Sequence, residues 1–300
     1  MNSIQDTYTL NNGVKIPCCG FGTYKTKDGD GTEIIERAIQ CGYRFFDTAS
    51  IYETEFLLGQ AIRNSKIPRE EFVILSKLWI DEMGYENTKR AFAASLERLR
   101  TDYLDLYLIH WPRPNTEDPD WKELDLETWR ALEELYDQGK IRALGCSNFL
   151  PHHLENLLVN ARVKPAVDQL EIHPGYSQEA AVAYCLEQGI RPMAWAPLGR
   201  FKENPVVNGA LEQMEKKYKK SVAQICLRFA LEKGIIPIPK ASSPEHMKSN
   251  MDIFDFSMSR EDVSILSCMP QTAWIGQHPD FVTPDKKSNP DQSPKAKERT

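Results

Sequence analysis

A chain of 300 residues with 41% hydrophobic content can build one large core, either as two ordinary domains or as one barrel of alternating strands and helices. Its formal charge of −6 argues against general nucleic-acid binding, which needs clustered Lys and Arg to neutralise phosphates. No apolar run approaches the ~18 residues of a membrane span.

The opening MNSIQDTYTL has neither a basic stretch nor an apolar centre, so no signal peptide is expected there. Residues 7–16 (TYTLNNGVKI) carry Asn12-Gly13 between alternating runs, which predicts a hairpin with a type I′ turn, placed to plug the bottom of a barrel. Eight short apolar runs follow: Cys18–Gly22, Tyr43–Asp47, Phe72–Lys77, Leu104–His110, Arg142–Cys146, Ala166–Leu170, Arg191–Ala196 and Ile235–Pro239. Helical patterns separate them. The clearest is Val222, Ile225, Cys226, Phe229 and Ala230, an i, i+3, i+4, i+7, i+8 stripe. Continuous apolar strands alternating with helices imply a parallel sheet. Eight repeats imply a closed (β/α)8 barrel of the TIM type. Residues 205–218 predict an auxiliary helix after the seventh strand, and a C-terminal helix and loop complete the barrel. The barrel is expected to be a single domain over 1–281, while 282–300, almost without apolar residues, is expected to be disordered. Seven cysteines without C-x-x-C spacing, most of them inside apolar runs, fit reduced thiols in a cytoplasmic protein.

Chemistry in such a barrel gathers where the strands end. The second predicted strand ends at Asp47, with Tyr52 in the loop beyond. The third ends at Ser76-Lys77-Leu78-Trp79 and the fourth at Ile109-His110-Trp111. Asp47, Tyr52, Lys77 and His110 therefore emerge at one rim. A phenol near pKa 10 is a weak acid, and a neighbouring ammonium would lower that value. The expectation is that Lys77, kept charged by Asp47, tunes Tyr52 as an acid–base group while His110 orients a polar substrate atom. Each of these residues alone is as well explained by capping, solvation or packing; four at adjacent strand ends are not.

GFGTYK (20–25), FDTASIYETE (46–55), SKLW (76–79), LDLYLIHWP (104–112), GKIRALGCSNF (139–149), QLEIHP (169–174), WAPLG (195–199) and IPK…N (238–250) occur in this order. Over residues 7–281 the chain resembles the aldo-keto reductases. The resemblance implies reduction of aldehydes or ketones to alcohols by a nicotinamide cofactor, with Asp47, Tyr52, Lys77 and His110 in the catalytic positions and Tyr52 giving the proton. It further implies that Gly22, Thr23 and Asp47 border the cofactor. Ser147, Asn148 and Gln169 would hold the carboxamide, Trp195 would stack on the nicotinamide ring, and Leu198, Arg200 and Lys202 would meet the pyrophosphate. Lys240 and Ser242, with His246 and Asn250, fall at the adenosine end. Gly20-Phe21-Gly22 lacks the third glycine of a dinucleotide fingerprint and predicts only a tight turn.

The chain departs from the family pattern at four positions. Ala241 and His246 replace a hydroxyl and an arginine that meet the 2′-phosphate, so NADPH is the first expectation and NADH the second. Thr54 stands for a common Asn, and Ala196 for a common Ser. Tyr24, Ile51, Trp79 and Trp111, with Trp274 in the loop AWIGQHPDF, are expected to join Tyr52 and His110 around the substrate. The expected partner is a small carbonyl compound, with no metal, nucleic acid or membrane, and the expected state is monomeric. Two other readings compete. A metal-dependent hydrolase would use His110, Asp168, Glu171 and His173, but lacks a His-x-His pair. A nicotinamide-sensing barrel would bind cofactor without turnover.

Overall fold

The computed structural model describes residues 1–27, 30–112, 120–199 and 205–282. Strands β1 (Thr7–Thr9) and β2 (Lys15–Pro17) pair antiparallel. Strands β3 (Phe21–Gly22), β4 (Phe45–Asp47), β5 (Val73–Leu78), β6 (Leu104–Ile109), β7 (Ile141–Ser147), β8 (Val167–Glu171), β9 (Arg191–Trp195) and β10 (Ile236–Ile238) lie side by side in chain order, all parallel. The seam closes where Gly20 N–H donates to Pro237 O and Gly22 N–H to Pro239 O, both at 3.0 Å. All eight predicted barrel strands are present.

The helices are α1 (Gly31–Cys41), α2 (Glu55–Ser65), α3 (Tyr85–Leu99), α4 (Trp121–Asp137), α5 (Pro151–Asn160), α6 (Glu179–Glu187), α7 (Pro205–Tyr218), α8 (Val222–Glu232), α9 (Pro244–Met251) and α10 (Arg260–Ser267). Helix α7 is the auxiliary helix and α10 the C-terminal one. The stripe on α8 is buried at Ile225, Cys226, Phe229 and Ala230, and Ser221 with Gln224 forms its reciprocal capping box. All seven cysteines are free thiols; Cys41 is partly exposed and Cys268 exposed. The polar tail beyond Val282 lies outside the described residues, and Val282 itself is buried.

The hairpin turn differs from expectation. Only Gly13 has positive φ, at 87°, so the turn is not type I′, which needs positive φ at both central residues. Gly13 N–H donates to Leu10 O (2.9 Å) and Leu10 N–H to Val14 O (2.8 Å), a type I-like turn followed by a left-handed glycine. Asn11 and Asn12 are used elsewhere: their amides donate to Pro165 O, just before β8, and to Arg142 O, in the first residues of β7. These bonds moor the hairpin, whose Leu10 and Ile16 are buried with the barrel interior, so the plug is present.

Gly20 and Gly22 also differ from the predicted tight turn, since Phe21 and Gly22 are strand β3. Gly20 is needed for close approach: a Cβ there would sit 3.0 Å from Phe45 Cδ1. The chain turns later, where Thr26 N–H reaches Thr23 O.

Strand periodicity decides what reaches the rim. Phe45, Leu75, Leu106, Leu108, Ala143, Val167 and Met193 pack together inside the barrel. Successive side chains alternate between faces, so counting on by twos from these residues arrives at Asp47, Lys77, His110, Ser147, Gln169, Glu171 and Trp195. The apolar interior thus ends in polar and aromatic side chains at one mouth. Phe46, Ile74, Tyr107, Ile109, Leu144 and Cys146 are out of phase and fill the layer beneath the helices.

Candidate active site

Lys77 is fully buried, and its Nζ donates to Asp47 Oδ1 at 2.6 Å, Thr48 O at 3.1 Å and Tyr52 Oη at 3.4 Å. Such a charge survives burial only when paired and hydrogen-bonded. Gln169 Nε2 donates to the same Asp47 oxygen at 2.9 Å. Tyr52 Oη lies 3.3 Å from His110 Nε2, with the two rings edge-on at 5.5 Å. The four residues read as a set from the strand ends are therefore one connected group.

Their electrostatics correct one expectation. Burial first, then the charges of Asp47 and Tyr24, push the Tyr52 phenol well above its ordinary value. The ammonium was expected to lower it, but Lys77 is neutralised by Asp47 at 2.6 Å, and desolvation outweighs what field remains. Burial likewise lowers Lys77, with Asp47 opposing. His110 is driven well below 6.5 by burial and then by Lys77, so its imidazole is neutral at pH 7. Nδ1 of His110 has no partner among the described residues. A proton there would be an orphaned buried N–H, which proteins avoid; the tautomer protonated at Nε2 avoids it. Two donors, Tyr52 O–H and His110 Nε2–H, then converge at the mouth.

Beside them runs a second hydrogen-bonded chain. Trp195 Nε1 donates to Asn148 Oδ1 (2.9 Å), Asn148 Nδ2 to His110 O (3.0 Å) and Ser147 Oγ (3.1 Å), and Ser147 Oγ to Gln169 O (2.8 Å). Asn148 holds φ 64°, a left-handed turn that Asn tolerates. A partly buried indole beside buried amides and a hydroxyl is a set suited to a flat heteroaromatic ring bearing a carboxamide. Leu198 is partly buried nearby in chain, whereas Arg200 and Lys202 lie outside the described residues.

Other expected residues tie the rim to the barrel. Thr23 is fully buried, and its N–H and hydroxyl both donate to Asp47 O, at 2.9 and 3.0 Å. Its hydroxyl also meets Thr54 Oγ1 at 2.8 Å, and Thr54 meets Thr48 Oγ1 at 2.9 Å. Thr23 and Thr54 thus hold the end of β4. Gly22 is buried at the seam. At the far end Lys240 Nζ donates to the Ser242 hydroxyl, while His246, exposed in the first turn of α9, is capped through its N–H by Ser243 Oγ. Asn250 is buried.

Of the expected pocket residues, Tyr24 packs on Tyr52 with centroids 5.0 Å apart and Trp79 meets His110 edge-on at 5.1 Å. Ile51 is partly exposed on the turn Ser50–Tyr52. Trp111 is 9% exposed and packs mostly into the core; Trp274 is 42% exposed.

The metal-dependent alternative does not assemble. Asp168 is out of phase with the inner residues and faces Phe149 N–H and the Cys185 thiol. Glu171 accepts Ile275 N–H (2.6 Å) and Gly276 N–H (2.8 Å) and lies 3.1 Å from His173 Nε2. Among the described residues one group has metal-ligand spacing, His152, His153 and Asp280. His153 Nδ1 accepts the Leu150 N–H at 3.1 Å, so the ring proton sits on Nε2 beside Asp280 at 3.0 Å, where a metal would need a lone pair.

The family model described as "Aldo/keto reductase family" matches residues 19–268. The glyoxal reductase of Bacillus subtilis strain 168 is 46% identical over 281 residues, covering 93% of this chain and 98% of that protein. A crystal structure of an aldo/keto reductase from Brucella melitensis superposes with TM-score 0.81 at 40% identity, covering 87% of this chain and 98% of the other. The Bombyx mori aldo-keto reductase in complex with NADP gives TM-score 0.79 at 32% identity, with coverages of 89% and 92%. With its eight-stranded parallel barrel and connected rim residues, this chain belongs to the aldo/keto reductase family and is an NAD(P)H-dependent oxidoreductase acting on carbonyl groups.

Proposed function

We propose that this protein reduces small aldehydes and ketones, α-oxoaldehydes foremost, with Tyr52 as proton donor and NADPH as the preferred cofactor. The observation that carries this reading is the Asp47–Lys77–Tyr52–His110 chain, closed at 2.6, 3.4 and 3.3 Å. The substrate class draws on the similarity to a glyoxal reductase and on the aromatic surroundings of Tyr24 and Trp79.

The reduced nicotinamide, when bound, supplies hydride to the carbonyl carbon. Trp195 would stack on its ring, and Ser147, Asn148 and Gln169 would hold the carboxamide. The protein then has to stabilise the charge that develops on the carbonyl oxygen and to deliver a proton there. A phenol held above its ordinary value keeps that proton until an alkoxide, a far stronger base, is present. Lys77 compensates the phenolate left behind, and Asp47 keeps Lys77 charged. Neutral His110 donates from Nε2 to the same oxygen without competing for the proton.

At the adenosine end, Lys240 and the Ser242 hydroxyl support a 2′-phosphate, the hydroxyl now one residue beyond Ala241. The N-terminus of α9 favours an anion as well. Glu245 opposes it: bonds from its own N–H and from Ser243, then the charges of His246 and Lys248, hold its carboxyl below the usual range, so it stays ionised. The NADPH preference is therefore narrow. No described helix is long and apolar enough to cross a membrane. We read residues 1–281 as one domain of a cytoplasmic monomer.

Tyr52→Phe tests the reading. Carbonyl-dependent loss of reduced-nicotinamide absorbance should fall by roughly 10²–10⁴-fold, the usual worth of general acid catalysis, while cofactor affinity measured by fluorescence titration stays within twofold. Turnover equal to wild type would end the assignment of Tyr52.

A further inference from the structure

Glu171 stands on β8 opposite Trp195 on β9, as its register partner, and both belong to the inward-facing phase. Its carboxylate is buried and reaches across 104 and 105 residues of chain to two consecutive backbone N–H groups, those of Ile275 at 2.6 Å and Gly276 at 2.8 Å. Charge-assisted bonds of this length are the strong kind. They press the loop onto Trp195 so closely that a Cβ on Gly276 would lie 2.5 Å from Trp195 Cη2 and 2.9 Å from Glu171 Oε2. Trp195 is fixed on its other side by the bond from its Nε1 to Asn148. The same loop carries the half-exposed Trp274 and is tied down again where Ala273 N–H meets Gly175 O.

We propose that Glu171 is a specificity-positioning residue: it fastens the C-terminal loop to the benzo end of Trp195, so that the expected stacking ring and the outer wall of the substrate mouth form one rigid unit. The inference rests on the proposed function above. A two-carbon dicarbonyl would be held by Tyr52 and His110 alone and would not feel the loop. A carbonyl compound with an aromatic substituent must lie against it.

The test uses glyoxal and phenylglyoxal at saturating cofactor, with Glu171→Gln and Gly276→Ala. In Glu171→Gln the amide NH₂ must face one of the two N–H donors. Gly276→Ala displaces the loop with the carboxylate intact. Both variants should raise KM for phenylglyoxal roughly tenfold while kcat and the KM for glyoxal stay within twofold; a merely structural carboxylate would lower Tm and leave that ratio unmoved. If Glu171→Gln does not fold, Gly276→Ala decides alone. Wild-type turnover with an unchanged phenylglyoxal-to-glyoxal ratio in the variants overturns this inference only. Absence of carbonyl-dependent turnover in wild type removes the proposed function and this inference together.

Discussion

Asp168→Asn isolates a cost that the fold carries on the outer face of β8. The Asp168 carboxyl is completely buried, and its described contacts are weak: Phe149 N–H at 3.5 Å and the Cys185 thiol at 3.8 Å. Desolvation pushes it from the ordinary 3.8 up to about 8. The folded chain therefore holds this proton to about pH 8, while the unfolded chain releases it near 3.8. Between those values the unfolded state binds fewer protons, so stability falls as pH rises. At 1.36 kcal/mol per unit the loss is at most roughly 4 kcal/mol by pH 7. Asparagine has nearly the same shape, can still accept the Phe149 N–H and never ionises. Urea unfolding at pH 5, 7 and 8 should show a stability difference between Asp168→Asn and wild type that grows in favour of the variant at each step. Carbonyl-dependent turnover should hold within twofold, since the side chain faces away from the mouth. A difference that is constant across pH would refute the reasoning.

Two further outcomes follow from the same physical picture. Asp47→Asn leaves the buried Lys77 ammonium without its counter-charge, a loss of about 3–5 kcal/mol for a broken buried pair; thermal unfolding should show Tm lower by about 10 °C, with turnover falling in parallel. His246→Arg replaces an exposed ring by a fork that matches phosphate, so the ratio of kcat/KM for NADPH over NADH should rise about tenfold. An unchanged ratio would place the 2′-phosphate elsewhere.

What was legible in the sequence was whatever strand periodicity carries. The eight strands follow from apolar runs with turn signals between them, and the same period of two delivers Asp47, Lys77 and His110 to one rim from adjacent strands. Tyr52 needed only its short loop. What the sequence hid were partners far apart in the chain. Nothing near Glu171 in sequence announces that its acceptors' donors lie past residue 270. Nor does the sequence around Thr23 announce that its hydroxyl meets Asp47 O and Thr54. The direction of the Tyr52 shift was misjudged for a related reason: charge on Lys77 can be counted from sequence, whereas the depth of burial that outweighs it depends on the packed barrel. At the hairpin, Asn12-Gly13 marked the turn correctly, and only the side-chain anchors to Arg142 and Pro165 distinguish the turn that forms.

The seam has a bearing on how the chain avoids misassembly. Pro237 and Pro239 accept from Gly20 and Gly22 but have no N–H to return, so β10 faces β3 as an acceptor-only edge. Until the barrel closes, β10 is an edge of the sheet, and an unpaired edge recruits strands from neighbouring molecules. Two prolines in three residues deny such an intruder half of its ladder. The first strand, moored by its hairpin, supplies the two N–H donors that such an edge accepts.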